Sequence, residues 1–386
     1  MVVKHAASAI GLAALLAGCA TTTPSTDGVP AETATLEVPA PIIPMPSAPL
    51  DENAPITRIG FGSCLQQNED QTIWSAVGAK DPDVFLYIGD NVYGDVRSGD
   101  PMMPELRQAY RQLAESEPFA AFRAQTPMMV TWDDHDYGMN DQGGNYPFKY
   151  GAEAIFEEAW AVPADDPRRA RDGIYYSKIV GAPGQRVQLI MLDTRFFRGD
   201  LLETDERDMP GKERYMPDLD PSKTMLGADQ YKWLLEELAK PADLRIIASS
   251  VQVIADGHGW EAWRQLPAER QRFYDTLSAS AAEHIVLVSG DRHAGALYKN
   301  MEAVPYTLYE ATSSSLNLPG SRWRNESGET RVEDGPFRLG TMEYDVNFGM
   351  IDVDWAAETV DLKLHGADGG VLQSVTVSFK EMELRD

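Results

Sequence analysis

Four short clusters of polar residues, each directly after an apolar run of strand length, are the parts of this sequence best suited to chemistry. They occupy residues 61–64, 88–93, 131–136 and 287–293, and they contain a cysteine, several aspartates, a tyrosine and two histidines. Because polar groups at the carboxyl ends of neighbouring strands meet at one edge of an open α/β sheet, we expect these clusters to converge.

The residue types in these clusters indicate a site with more than one metal ion. One thiolate among many carboxylates does not match a structural zinc site, where cysteine and histidine usually supply all the ligands. Carboxylates favour hard cations such as Ca²⁺ or Mn²⁺, whereas a thiolate, a phenolate and imidazoles favour iron or zinc. Two or more metals that share a bridging carboxylate would use the whole set. The alternatives are an inert core thiol at Cys64 and an ordinary core tyrosine at Tyr93.

The order of the clusters resembles the calcineurin-like metallophosphoesterases. Their pattern is roughly Asp-x-His, Gly-Asp-x-x-Asp/Tyr, Gly-Asn-His-Asp/Glu and a late Gly-His-x-His. This chain instead has Gly-Ser-Cys at 62–64, Trp-Asp-Asp-His-Asp at 132–136 and Gly-Asp-Arg-His at 290–293. These departures are similar to the alkaline phosphatase D (PhoD) family, and the resemblance covers roughly residues 58–298.

The resemblance implies a ferric ion beside one or more calcium ions, with Zn²⁺ and Mn²⁺ as alternatives. The four residues that would hold the ferric ion are Cys64, Asp90, Tyr93 and His293. Asp90 would also bridge to calcium, and the further calcium ligands would be Asp134, Asp291 and Asn140. A trivalent ion beside divalent ones would lower the pKa of a bridging water molecule.

Two further residues receive catalytic roles from the resemblance. His135 would face the substrate and either stabilise the phosphoryl oxygens or protonate the leaving group. Arg195 lies in a Leu-Asp-Thr-Arg motif and would contact either the phosphate or a structural partner, the alternative being an Asp–Arg ion pair within the fold. Trp260, Trp263 and Trp323 lie in predicted loops, where they would either line a substrate pocket or pack the loops onto the domain.

The elements that must position these residues alternate between strands and helices. Apolar runs predict buried strands at residues 84–88, 128–132, 187–192, 244–249 and 284–289. A helical pattern at residues 70–77 precedes these strands and others lie between them, and from residue 306 onward the pattern is mostly strand, with a hairpin around residues 368–370. This alternation predicts an α/β protein, and the strand-rich end predicts a second sheet packed on the first. Together with the resemblance, it predicts a metallophosphoesterase-type β-sandwich of two mixed sheets flanked by helices.

The amino-terminal residues predict export and a lipid anchor. A charged start, an apolar run and small residues before Cys19 indicate a secretory signal, and Leu16-Ala17-Gly18-Cys19 resembles a bacterial lipobox. We expect a signal peptide at 1–18, a flexible Pro/Thr-rich tether at 19–55 and the phosphoesterase domain at 56–386. Ala20 after the cysteine favours, by resemblance, the outer membrane, so the domain would lie in the periplasm or at the cell surface.

The charge of the chain bears on its partners. With 34 basic and 60 acidic residues, the formal net charge is −26, which disfavours binding to nucleic acid backbones. We therefore expect no nucleic acid partner, and contact with a membrane only through the lipid anchor. The expected substrates are small phosphate mono- or diesters, hydrolysed by metal-bound hydroxide as in an alkaline phosphatase or phosphodiesterase.

Two other functions fit the same residues. The first is a phospholipase C-like phosphodiesterase that acts on lipids or wall polymers. The second is a surface-binding lipoprotein that has kept the fold without catalysis, although the retention of so many candidate ligands disfavours it.

Overall fold

Two large β-sheets form the centre of the computed structural model, which describes residues 41–323, 333 and 335–385. The strands of the described residues are β1 (Arg58–Gly62), β2 (Val84–Ile88), β3 (Met128–Thr131), β4 (Tyr176–Val180), β5 (Val187–Met191), β6 (Leu202–Glu203), β7 (Tyr215–Met216), β8 (Leu244–Ser249), β9 (Ile285–Ser289), β10 (Gly295–Asn300), β11 (Leu308–Ser313), β12 (Arg338–Glu343), β13 (Asn347–Asp354), β14 (Thr359–Gly366) and β15 (Val371–Ser378).

Helices lie between the strands. Those of the described residues are α1 (Ile73–Gly78), α2 (Pro104–Ala114), α3 (Glu117–Arg123), α4 (Asp134–Tyr137), α5 (Lys149–Ala159), α6 (Gly227–Leu238) and α7 (Pro267–Ala279). Within the described part of the chain, no helix combines the length and apolar character that crossing a bilayer requires.

Both sheets mix parallel and antiparallel pairs. The first has the strand order β15-β14-β13-β1-β2-β3, and its parallel part is β1-β2-β3. The second has the order β12-β10-β11-β9-β8-β5-β4, with a parallel part β5-β8-β9-β11. Strands β6 and β7 form a separate small hairpin.

The sheets pack face to face, and helices cover their outer faces. Along β2, Val84, Leu86 and Ile88 point into the core between the sheets, whereas Phe85 and Tyr87 point into the core beneath the helices. Strand β9 alternates in the same way between the inner core and the core beneath α6 and α7. A strand buried on both faces reads as a continuous apolar run, which is why the sequence revealed these strands. The predicted α/β sandwich of two mixed sheets is confirmed.

The strand-rich end is arranged differently from the prediction. We expected the strands after residue 306 to build a second sheet packed on the first. Instead β11 and β12 join the sheet of β9, while β13, β14 and β15 extend the sheet of β1. The predicted hairpin at residues 368–370 is present and joins β14 to β15. The apolar pattern predicted strands here, but it does not encode the sheet that each strand joins.

The predicted tether is too long at its carboxyl end. Ile42 and Met45 are buried in the core beneath the helices, and the Met45 N–H donates to the Ala159 carbonyl at 2.7 Å. Ala48 pairs with Pro127 beside β3, and its N–H donates to the Arg123 carbonyl at 2.7 Å. Residues 41–50 therefore belong to the folded domain, while the predictions for residues 1–40 lie outside the described residues.

Candidate metal centre

The ends of four parallel strands bring the four polar clusters together. Cys64 follows β1, Asp90 follows β2 and Asp134 follows β3, while Asp291 and His293 follow β9. Four of these residues adopt positive φ angles although none is glycine: Cys64 at 59°, Asp90 at 47°, Asp291 at 69° and His293 at 51°. Left-handed backbone costs about 1–3 kcal/mol for such residues and is concentrated at functional sites. The chain thus bends at three of the four strand ends, those of β1, β2 and β9, in a way that directs these side chains into one region.

Two glycines allow the strand ends to approach each other. A Cβ atom added to Gly89, whose φ is +106°, would lie 2.5 Å from the Asp133 Cβ. A Cβ atom added to Gly290 would lie 2.5 Å from the Ser63 Oγ. Each glycine immediately precedes a candidate ligand, so the absence of a side chain lets the ligand loops pack closely.

One group of side chains combines a thiol, a carboxylate, a phenol and an imidazole. The Cys64 Sγ lies 3.5 Å from the Asp90 Oδ2, and the Tyr93 hydroxyl donates to the same oxygen at 3.0 Å. The Tyr93 hydroxyl also lies 3.4 Å from the His293 Nε2. The His293 Nδ1–H donates to the Leu318 carbonyl at 2.7 Å, which leaves Nε2 facing Tyr93 and Asp90. The structure therefore brings together the four residues predicted to hold the ferric ion.

The remaining carboxylates form overlapping groups beside the first. Asp90, Asp134 and His135 offer ligand atoms within 4.8 Å of one another, and so do Asp133, Asp134 and Asp291. Asp90 belongs to both the thiol group and the first of these groups. A carboxylate in this position can bridge two ions, which is the role that the family resemblance implies for Asp90.

The electrostatics of the site favour bound cations. Burial raises the pKa of the Asp90 carboxyl well above its usual range, and the nearby Asp134 raises it further. Burial raises the pKa of Asp291 to about 7, and burial together with Asp90 raises the pKa of the Cys64 thiol. Buried acids at such close range repel one another, and cations between them would remove that repulsion.

Unpaired buried oxygens are a second observation that fits metal ions. The Asp90 Oδ1 and the Asp133 Oδ2 are buried and have no hydrogen-bond partner among the residues that the structure describes. An unsatisfied buried oxygen is costly unless an ion or another donor contacts it. The donor set and these oxygens together suit metal ligation.

Helix α4 positions the third cluster. Asp133 is its N-cap, the Asp133 N–H donates to the Asp136 Oδ1 at 2.6 Å, and the two residues form a capping box. Asp136 is fully buried and also accepts the side-chain N–H of Asn91. Asp136 is therefore a structural residue, and the cap holds Asp134 and His135 at the start of the helix, facing the site.

His135 is held on two sides. Its Nδ1 lies 2.9 Å from the Asp95 Oδ1, and its ring lies 4.4 Å from the ring of Tyr93. Burial alone would lower its pKa, but the carboxylates of Asp134, Asp90 and Asp95 raise it well above the usual value. Because an ionised carboxylate only accepts, the Nδ1 carries the proton and Nε2 is left on the side of Asp134.

Arg195 does not occupy the position needed for contact with a phosphate. Its side chain is 0% exposed and forms ion pairs with Asp133 and with Glu261, the latter at 2.7 Å. Arg198 pairs with the same glutamate at 2.9 Å. A guanidinium buried between two carboxylates cannot reach a substrate, so the structure favours the alternative of an ion pair within the fold.

Asn140 also lies apart from the ligand groups. It is exposed, and its backbone N–H donates to the Asp95 Oδ1 at 3.0 Å. The neighbouring Asp141 takes the inner position instead: its N–H donates to the Asp134 Oδ2 at 2.7 Å, and its carboxylate groups with Asp134 and Glu261. The left-handed backbone of Asp141, with φ at 57°, turns this side chain inward.

Several residues of the site were not predicted from the sequence. Asp133 and Asp141 lie within or beside the third cluster, so their acidic side chains were a signal. Asp95 lies two residues beyond Tyr93, and its role depends on a contact across 40 residues. Glu261 lies between Trp260 and Trp263, for which we predicted either a pocket role or a packing role, and the glutamate itself was not singled out. The buried Glu261 reaches the site only because Arg195 and Arg198 bind it.

Two large mixed sheets with a carboxylate-, thiol- and imidazole-rich centre at shared strand ends define a protein of the metallophosphoesterase fold class. The chain belongs to the PhoD-like phosphatase family, whose model matches residues 59–364. The predicted family is therefore confirmed.

Individual relatives agree with this assignment. The chain is 25% identical to alkaline phosphatase D of Bacillus subtilis (strain 168) over 295 residues, which cover 65% of this chain and 48% of the relative. It thus spans about half the length of this curated relative. A solved structure of PhoD superposes with a TM-score of 0.64 at 17% identity, covering 86% of this chain and 69% of that one. A purple acid phosphatase from yellow lupin (Lupinus luteus) seeds superposes with a TM-score of 0.55 at 13% identity, covering 86% and 55%.

Proposed function

We propose that this chain is a metal-dependent hydrolase of phosphate esters. The observation that carries the proposal is the position of Asp90, whose buried carboxylate lies in two adjoining ligand groups and has one oxygen unpaired. Membership of a phosphatase family supports the same reaction class. The expected substrates are small phosphate mono- or diesters.

The donor atoms suggest how the metals would be divided. A ferric ion suits the thiolate, phenolate and imidazole of Cys64, Tyr93 and His293 together with Asp90. Calcium suits the carboxylates of Asp90, Asp134 and Asp291, for which Zn²⁺ and Mn²⁺ are the alternatives. When bound, such ions lower the pKa of a water molecule, so that hydroxide is available as the nucleophile near neutral pH. They also offset the negative charge on the phosphoryl group.

The protein's own groups complete the reaction. His135 presents Nε2 on the side of Asp134 and can donate a proton either to a phosphoryl oxygen or to the departing oxygen. Asp95 holds the opposite nitrogen at 2.9 Å and so fixes the orientation of the ring. Arg195 positions Asp133, the residue that caps α4.

A combined metal and activity measurement tests the proposal. The chain would be purified without chelators, its elements measured by plasma mass spectrometry, and its rates compared on nitrophenyl phosphate and bis-nitrophenyl phosphate. We expect iron with calcium, hydrolysis of at least one ester, and a loss of about 100-fold or more in Asp90→Asn. The control is Asp352→Asn, which alters a surface pair with Lys363 and should be fully active.

The outcomes separate the proposals. Full activity in Asp90→Asn would overturn the assignment of the site. Zinc or manganese without iron would support the proposed phosphoesterase activity and contradict the assignment of a ferric ion. The ratio of the two rates decides between monoester and diester preference.

We also propose that the chain is exported to the periplasm or cell surface and anchored by lipid at Cys19. The support is the sequence pattern that ends in Leu16-Ala17-Gly18-Cys19. Growth with a labelled palmitate analogue should label the wild type and leave Cys19→Ser unlabelled. A wild-type chain without label would contradict the anchor.

A further inference from the structure

A loop after β11 lies against two of the strand ends that carry candidate iron ligands. The Leu316 N–H donates to the Ser63 carbonyl at 3.1 Å. The Gly320 N–H donates to the His293 carbonyl at 2.7 Å. These hydrogen bonds attach the loop of residues 314–323 to the segment before Cys64 and to the segment of His293.

The loop is fixed in place by more than these backbone bonds. The Asn317 side chain accepts the Gln66 N–H at 2.7 Å and donates to the carbonyls of Gln66 and Asp70, each at 3.0 Å. A Cβ atom added to Gly320 would lie 2.7 Å from the His293 carbonyl oxygen, so the approach depends on glycine. A loop held in this way can present a side chain at a defined position.

The side chain at its end is Trp323. Its ring centroid lies 4.8 Å from that of His293, with the rings nearly perpendicular, yet 57% of the residue remains exposed. The tryptophans that serve packing here, Trp74, Trp132 and Trp263, are at most 1% exposed. Exposure of so large an aromatic surface beside a candidate ligand is the pattern expected of a binding residue.

Trp260, a partly exposed tryptophan near the site, differs from Trp323. The guanidinium groups of Arg214 and Arg292 lie 5.1 and 5.2 Å from its ring centroid. These cations occupy its π surface, so Trp260 is engaged within the protein. Within the part of the chain that the structure describes, no cation lies over the Trp323 ring, so its exposed indole is the better placed of the two to stack on a substrate.

We propose that Trp323 forms an aromatic subsite for the leaving group and selects phosphate esters whose leaving group carries a planar ring. The inference rests on the proposed function, because the ester must bind at the adjoining metal centre. Stacking on one aromatic side chain contributes about 1–3 kcal/mol per ring, which corresponds to roughly 5- to 150-fold in affinity.

The test compares two esters that differ in planarity alone. Benzyl phosphate and cyclohexylmethyl phosphate have primary alcohol leaving groups of similar size. Trp323→Leu should lower kcat/KM for the benzyl ester about tenfold and change that for the cyclohexylmethyl ester less than twofold. Trp323→Phe should restore most of the difference, and bound metal should stay unchanged. Tyr150→Leu, which alters a 59% exposed tyrosine on α5, is the matched control and should change neither rate.

The corresponding phosphonates give a readout without turnover. Calorimetric affinities should favour benzylphosphonate in the wild type and lose that preference in Trp323→Leu. Equal losses for both ligands, or loss of metal, would mean that Trp323 only supports His293 and would overturn the subsite. An unchanged preference would overturn it as well. Binding without hydrolysis would instead contradict the proposed function and leave the subsite supported.

Discussion

Asp95 shows how a residue outside the ligand groups can control one inside them. Its Oδ1 accepts from the His135 Nδ1 and from the Asn140 N–H, and its Oδ2 accepts from Arg97 at 3.2 Å. The backbone segments that carry Asp95 and His135 are fixed to each other, because the Gly94 N–H donates to the His135 carbonyl at 3.0 Å. The carboxylate is therefore held against the imidazole independently of any substrate.

Asp95→Asn is expected to lower kcat about 10- to 100-fold with little change in bound metal. The amide keeps the shape of the side chain but no longer fixes the proton on the His135 Nδ1. In a His135→Ala background the same substitution should have almost no further effect, because the two residues act as one unit.

Arg97→Ala is the control for that experiment. It removes the 79% exposed partner of Asp95 and leaves the contact with His135 intact, so its rates should match the wild type. If the losses of Asp95→Asn and His135→Ala were additive, Asp95 would act elsewhere in the fold.

Glu153 on α5 predicts a pH dependence of stability that is separate from the site. Burial raises its pKa to about 8, although the Gly173 N–H, which donates to it at 2.7 Å, opposes the shift. The folded chain therefore keeps this proton up to about pH 8, whereas the unfolded chain loses it near 4.5. Because the folded state binds more protons in that window, this residue lowers the free energy of unfolding as pH rises.

Glu153→Gln should unfold like the wild type at pH 4 and be more stable at pH 9. The amide oxygen of glutamine still accepts from the Gly173 N–H, and the substitution removes the charge of the partly buried carboxylate. Urea titrations at the two pH values measure the difference, and Glu158→Gln, an exposed position on the same helix, is the control. An equal stabilisation at both pH values would show that the effect does not come from ionisation.

At the scale of elements, the glycines that end the strands are as important as the ligands that follow them. Gly89 joins β2 to Asp90 with φ at +106°, and the space for its Cβ is filled by Asp133 and Ser250. Gly89→Ala should lower the free energy of unfolding by about 2 kcal/mol or more and also displace Asp90.

Gly99→Ala is a matched comparison. Its φ is +67°, but nothing lies within 4 Å of the added Cβ, so only the conformational cost of about 1 kcal/mol remains. Chemical denaturation of both variants, with metal analysis, separates backbone strain from crowding. Equal effects at the two positions would show that the contact with Asp133 is unimportant.

The elements also show what the sequence could predict. The strands at Val84–Ile88 and Leu244–Ser249 have the predicted bounds, because burial on both faces produces an unbroken apolar run. The helix predicted from residue 70 begins at Ile73, because the Asp70 side chain accepts the N–H of Thr72 and forms a turn first.

The site was predictable where ligands follow strands in a known order. Asp90 and His293 follow that rule, and their convergence needs only the topology of parallel strands. Asn140 and Asp141 do not follow this rule. The left-handed backbone of Asp141 and its contacts with distant residues decide which of the two side chains points inward. Asp141 is held by Arg214 at 2.9 Å and Tyr215 at 2.7 Å, and both come from the β6–β7 hairpin. A contact across more than 70 residues leaves no local signal.

At the scale of the whole molecule, an acidic chain with a buried acidic centre should depend on cations for stability. The formal net charge is −26, and the carboxylates at the strand ends repel one another when no ion lies between them. Removing the metals with a chelator should lower the Tm by several degrees. Ions at 1,000 times their Kd stabilise the native state by about 4 kcal/mol.

Calorimetry before and after chelation, followed by addition of each metal, measures this dependence. The metals that restore the Tm should be the ones found in the purified chain. In Asp90→Asn the chelator should have a smaller effect, because one ligand of both groups has lost its charge. An unchanged Tm after complete removal of metal would show that the site is stable without ions.

The attachment of residues 41–50 has a mechanical consequence. Met45 is bonded to the end of α5 and is buried in the core beneath the helices. Ala48 is bonded to the end of α3 and pairs with Pro127 beside β3. A pulling force applied at Pro41 would load these two hydrogen bonds and the helices behind them before it reached any strand end. We therefore expect that force applied at Pro41 leaves the distances among Cys64, Asp90 and His293 unchanged.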